Sequence, residues 1–268
     1  MKIYIHIGDA RTGTTTLQSL LAQNRDVLSS MGIAYPKLGT MQNSSGFGHH
    51  RLAFSLLPEW PQFAIKGKAP AGVIWQEFRD HLDQLPSDTK AVVISSEAFL
   101  NLKDAGLSQL NRYLDGHEVV PICVKRDPED WRRSWIAHQT RQGVVVHGAK
   151  RPAQDLAQPK IDRWNAVFEV TCVPYSANTA QDVLAIMSVD IDRLKPVERI
   201  NSRLTDFQLD LLQTLNRIPM EEGNRDAFLN TINSALAEEN PRLTAYVKRV
   251  NLAEKTRSRF NEDILTFL

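Results

Sequence analysis

Runs of apolar residues separated by amphipathic stretches, with a glycine-bounded loop after the first run, predict an α/β chain. The expected fold is a three-layer α/β/α arrangement with a central parallel sheet and a helical C-terminal portion. IYIHI (3–7), KAVVISSE (90–97), HEVVPICVKR (117–126) and FEVTCVPY (168–175) are apolar on both faces, as a sheet covered on both sides requires. One domain is expected over 1–268, with the core sheet at about 1–190 and helices at about 200–268.

In chain order, the strand at 3–7 stops at Gly8. Leucines at 17, 20, 21 and 28 predict a helix over 14–30, and Gly32 then turns the chain into a short strand. Residues 37–72, rich in Gly, Ser and Pro, read as a loop with an embedded helix near 49–57. An amphipathic helix over 73–85 ends at Pro86. Pro128 with Glu129 and Asp130 opens a helix over 128–142, because acids suit the positive end of the helix dipole. Residues 144–160 read as irregular, 178–187 as a helix, and the chain from about 204 as helical.

Formal charge is +1, with 42% apolar and 24% charged residues, so no overall field draws the chain to nucleic acid or a membrane surface. Any anion site must be local. Cys123 and Cys172 lie in strand-like runs and are expected as reduced, buried thiols of a cytoplasmic protein. No Cys/His cluster has ligand spacing, so no metal is expected. The first apolar run is too short for a signal peptide, and no later stretch is long enough to span a bilayer.

Strand, Gly8-x-x-x-x-Gly13, threonines, helix is the layout of a phosphate-cradling loop. Glycines let successive amides turn inward, and the helix adds its unpaired N–H groups and dipole. Thr14 stands where a triphosphate-binding loop has lysine, and the cation is inside the loop, at Arg11. No aspartate ends a strand to hold a metal, which argues against ATP hydrolysis. Arg126 ends the strand at 117–126, on the edge where open α/β sheets bind ligands, and Ser134 follows in the next helix. A guanidinium grips phosphate with two parallel hydrogen bonds. The competing reading of Arg126 is an ion pair with Asp127 or Asp130.

Two anion grips without a triphosphate lysine suit a nucleotide phosphorylated at two places. At these residues the chain resembles the sulfotransferases. HIGDARTGTTTLQ is similar to their 5′-phosphosulfate loop, usually Lys-Thr-Gly-Thr-Thr, and VKRDPEDWRRSW to their 3′-phosphate element. VVISSEAFL and INSRLTDFQLDLLQTLNR are similar to segments of bacterial members. The resemblance implies a P-loop-type fold and the donor 3′-phosphoadenosine 5′-phosphosulfate (PAPS). The implied reaction moves a sulfuryl group in line to a hydroxyl or amine of a carbohydrate or small molecule. It places Arg11 in the lysine's role, Thr12, Gly13, Thr14, Thr15 and Thr16 on the 5′-phosphosulfate, and Arg126 and Ser134 on the 3′-phosphate. Arg11 for lysine and Asp9 inside the loop depart from the pattern. A catalytically impaired adenosine-bisphosphate-binding protein and a nucleotide-kinase-like phosphotransferase are the alternatives.

The acceptor needs a base near the sulfur, and the family uses histidine or glutamate. His49, His50 and Glu97 are the candidates, with imidazole suited by its near-neutral pKa. Ser95 and Ser96 either reach the cofactor or end the strand, and His6 is expected to be a satisfied core histidine.

Overall fold

The computed structural model describes residues 1–43, 46–144 and 153–197, together with 209, 212, 213, 216, 217 and 227. β1 (Lys2–His6) runs through a loop into α1 (Thr14–Gln23), α2 (Arg25–Ser30) and β2 (Ile33–Ala34). A hairpin of β3 (Met41–Asn43) and β4 (Gly46–Gly48) precedes α3 (His50–Ser55), a 3-10 turn at Gln62–Gly67 and α4 (Ala71–Asp83). β5 (Ala91–Ser95), a second 3-10 turn (Glu97–Asn101), α5 (Asp104–Tyr113), β6 (Glu118–Lys125) and α6 (Pro128–Arg141) follow. α7 (Gln158–Asn165), β7 (Thr171–Pro174) and α8 (Thr179–Ile186) come last, before a short 3-10 turn at Ile191–Arg193.

The main sheet has the order β2-β5-β1-β6-β7, and every pairing in it is parallel. Ile5 lies opposite Ile94 on one side and Pro121 on the other. Pro121 is tolerated in an inner strand because β7 pairs with β6 only from Ile122 onward. One face buries Ile3, Ile5 and Ile94 against Leu52, Trp75, Phe78, Phe99 and Trp164, from α3, α4, the Glu97–Asn101 turn and α7. The other buries Tyr4, Val93 and Val124 against Leu17, Leu21, Leu28 and Val183 of α1, α2 and α8. The three-layer α/β/α expectation therefore holds. The chain leaves β1 toward β2 but leaves the neighbouring β6 toward β7. That reversal places the sheet's switch point at the carboxyl ends of β1 and β6, the edge where ligands of such sheets lie.

Several local expectations are corrected. The helix expected over 14–30 is two helices, broken at Asn24, whose amide exchanges hydrogen bonds of 3.0 and 2.7 Å with the Lys195 backbone. β5 ends at Ser95, and Glu97 opens a 3-10 turn capped by Ser96, whose hydroxyl accepts from Ala98 N at 3.2 Å. Cys123 is buried, its thiol pushed up to about 12 by burial, but Cys172, beside it in register, is exposed.

The chain divides into two compact units, Met1–Trp131 with Gln154–Asn201, and Arg132–Ala153 with Ser202–Leu268. In the second unit the Asn216 amide donates to the carbonyls of Thr140 (2.8 Å) and Val144 (3.4 Å), and Asn216 N bonds Leu212 O one helical turn back. Most of the expected C-terminal helical region lies outside the described residues. No helix among the described residues is long and apolar enough to cross a membrane.

Candidate functional site: an anion loop beside a buried polar cluster

The loop after β1 bends through left-handed backbone at Arg11 (φ 68°) and Gly13 (φ 82°). Gly13 adopts this conformation without strain, whereas Arg11 carries the unfavourable contact of a Cβ there. Thr12 is buried, and its hydroxyl donates to the Asp9 carbonyl at 2.5 Å. The Asp9 carboxylate accepts from Ala10 N at 2.8 Å. Burial raises the pKa of Asp9, opposed by Lys160. α1 starts at Thr14 with no side-chain cap and no acid in its first turn. Its first intrahelical bond is Leu17 N to Gly13 O, so the amides of Thr14, Thr15 and Thr16 have no intrahelical partner. Loop and helix together present N–H groups and a positive dipole end to an anion.

Arg126 stands at the end of β6, the strand next to β1. Its Nη1 donates to the Arg11 carbonyl at 2.9 Å, and its guanidinium carbon lies 4.3 Å from the centre of the Tyr175 ring. Its Nε is buried with no hydrogen-bond partner among the described residues. The competing ion pair is not formed, since Asp127 Oδ1 instead caps α6, accepting from Glu129 N (2.9 Å) and Asp130 N (3.1 Å). Trp131 Nε1 donates to the Ala10 carbonyl at 2.9 Å. Arg11 and Arg126 thus meet at one loop. Ser134 lies half-buried on α6, in the second unit.

A second polar group gathers at the end of β5. His6 Nδ1 lies 2.8 Å from the Ser95 hydroxyl, which also accepts from Gln18 Nε2 at 3.2 Å. His6 is only half satisfied, contrary to expectation. Its Nε2 is buried without a partner among the described residues and would stand 2.7 Å from a Cβ on Gly8, so a side chain there would have to displace the His6 ring. Burial pulls the His6 pKa down to about 4.

His49 and His50, adjacent in the chain, do different things. His49 precedes α3, and both its ring nitrogens are used by backbone: Nδ1 accepts from Ser95 N (3.1 Å) and Nε2 donates to Pro36 O (3.0 Å). Burial takes its pKa to about 3. This ring is a neutral strut between the Pro36 segment and β5. His50 Nδ1 lies 2.8 Å from the Ser96 hydroxyl and 4.0 Å from Glu97 Oε2. Burial lowers the His50 pKa, and the Glu97 carboxylate opposes that shift. The ring stacks on Phe54 at 5.8 Å, with its Nε2 toward Gly48, 2.6 Å from where a Cβ would be. Gln18, one turn along α1 from Thr14, reaches Glu97 Oε2 at 3.5 Å and so joins this cluster to the helix that opens the anion loop.

The structure therefore brings together Arg11, Thr12, Gly13, Thr14 and Arg126 at one strand end, and His50 with Glu97 at the next. Sequence reasoning missed Gln18 and Tyr175, and read Trp131 as a core or cleft-wall aromatic rather than as a donor to the loop. The four-residue spacing of Thr14 and Gln18 was the one available signal. No group of side chains among the described residues could hold a metal ion.

These features define an α/β chain with a glycine-bounded loop, opening a helix, at the sheet's switch point. Among solved structures it is similar to a crystal structure of a sulfotransferase from Alicyclobacillus acidocaldarius. Identity is 14% and the TM-score 0.47, over 80% of this chain and 91% of that one. No protein-family model matches the chain, and no curated protein matches it.

Proposed function

We propose that the protein transfers a sulfuryl group from PAPS to a hydroxyl or amine of a carbohydrate or small molecule. The observation that carries this reading is the Arg126 guanidinium, bonded to the loop carbonyl of Arg11 while its buried Nε lacks a partner. A second cation with unused donors beside a phosphate loop suits a ligand bearing anionic groups at two places. The loop suits the donor's 5′ end: left-handed backbone at Gly13 leads into α1, and the amides of Thr14, Thr15 and Thr16 open outward. Arg11 and these amides hold the 5′-phosphosulfate, and Arg126 holds the 3′-phosphate, to which the sequence resemblance adds Ser134. When bound, the donor supplies the sulfuryl group and a phosphate leaving group.

His50 is the base. The Ser96 hydroxyl already accepts from Ala98 N and takes the His50 Nδ1 proton on its other lone pair, with Glu97 favouring a proton at that nitrogen. This leaves the lone pair on His50 Nε2 to receive the acceptor's proton. Glu97 and Ser96 position the ring, and His49 braces the strand end. Arg11 and the loop amides stabilise charge growing on the leaving phosphate.

Calorimetric titration with 3′,5′-bisphosphoadenosine tests this reading. The chain should bind it, and Arg126→Ala should weaken binding by about 2 kcal/mol, the loss of a charge-assisted contact. Preference for magnesium–ATP would favour the phosphotransferase alternative. Tight binding without transfer to any acceptor would favour an impaired binding protein, with Asp9 holding a loop amide as its cause.

A further inference from the structure

We infer that Trp131 and Arg126 form a strap that sets the direction of the anion loop's amides, so Trp131 is a positioning residue for the anion. This rests on the loop being the phosphosulfate grip proposed above. The two side chains come from the start of α6 and the end of β6 and donate to successive loop carbonyls, Trp131 Nε1 to Ala10 and Arg126 Nη1 to Arg11, each at 2.9 Å. There is no cis peptide among the described residues. In a trans peptide the carbonyl of one residue and the N–H of the next point opposite ways. Drawing the Ala10 and Arg11 carbonyls toward α6 therefore turns the N–H groups of Arg11 and Thr12 the other way, to the side where the amides of Thr14 to Thr16 open.

The arrangement needs a restraint. Arg11 sits at φ 68°, a conformation a non-glycine residue leaves readily unless its neighbours hold it. On the loop's inner side, the Thr12 hydroxyl is tied to the Asp9 carbonyl and Ala10 N to the Asp9 carboxylate, so those bonds fix the turn's start. The outer side has the strap. Tyr175 backs it, with its ring under the Arg126 guanidinium at 4.3 Å and 3.8 Å from where a Cβ on Gly13 would stand. Arg126 thus serves two anion positions at once, one through its unpartnered Nε and the other through the carbonyl it pins.

The test is calorimetry on the full chain with two probes, inorganic pyrophosphate and 3′,5′-bisphosphoadenosine. Trp131→Phe keeps the ring and removes the N–H, and should weaken both probes roughly tenfold, as for one lost hydrogen bond. Trp131→Gln returns a donor and should recover part of that affinity. Trp164→Phe, which removes the buried bond to the Phe99 carbonyl (3.2 Å), should lower the melting temperature and leave both affinities unchanged. Wild-type affinity in a folded Trp131→Phe would overturn the strap. If that variant does not fold, Trp131→Gln decides, and affinity equal to wild type with its carbonyl bond absent from a crystal structure overturns the strap. Wild-type binding of pyrophosphate but not of the bisphosphate would remove the sulfuryl-transfer reading and leave the strap to be judged on pyrophosphate. Binding of neither probe would overturn both.

Discussion

After β1 the polar groups at the switch point are supplied by the backbone: amides of the loop and of α1's first turn, with carbonyls drawn outward by Arg126 and Trp131. After β5, the neighbouring strand, they are side chains that bond one another, His6 to Ser95, Gln18 to Ser95 and Glu97, His50 to Ser96. In the first region the amides of α1's first turn have no intrahelical partner. The second pairs its side chains with one another, although His6 Nε2 stays without a partner among the described residues. His49 and His50 repeat the contrast on a smaller scale, one ring used up by backbone and the other left with a nitrogen toward Gly48.

The largest effect expected is on turnover. His50→Gln should slow sulfuryl transfer to a phenol or sugar hydroxyl by roughly 10²- to 10⁴-fold, the usual contribution of a general base, while bisphosphoadenosine affinity holds. His49→Gln should instead lower stability, because it removes a buried strut. Equal losses of turnover in the two folded variants would erase the distinction between these rings. Next in size is Gly8→Ala, whose Cβ would meet His6 Nε2 at 2.7 Å. Urea unfolding should show a loss of about 1–3 kcal/mol, typical of overpacking. In a His6→Asn background the loss should shrink, because the two positions touch. Stability should also depend on pH. Folded His6 and His49 titrate near 4 and 3, against 6.5 when unfolded, because burial disfavours their charged forms. As pH drops below 6.5 the unfolded chain takes up protons that the folded chain refuses. Stability is full above 6.5 and falls by about 1.4 kcal/mol per pH unit for each ring, down to its folded pKa. Denaturant midpoints between pH 4 and 7 measure this, and a flat profile would show that the rings are not buried as described.

The placement of the loop at 8–13 and of Arg126 at a strand end was legible because the signals are local: glycine spacing, a strand before and a helix after. α5 was not, since Gly106 interrupts its apolar pattern. That glycine is required by Leu56, whose carbonyl would lie 2.6 Å from a Cβ there. α7 was hidden because only Ile161 and Trp164 of its residues are buried. Nothing in "GHHR" distinguishes His49 from His50. Their roles diverge because one residue lies just before α3, paired to β5, and the other inside it. Cys172 was misjudged because β7 is exposed at three of its four positions, although its sequence reads as an inner strand.

β1 lies in the middle of the sheet although it precedes both its partners in the sequence, which begin only at Ala91 and Glu118. As the chain emerges during synthesis, Lys2–His6 has no edge to join until those later strands exist. Productive folding must therefore wait on long-range closure, which is slow and leaves an apolar strand unprotected meanwhile.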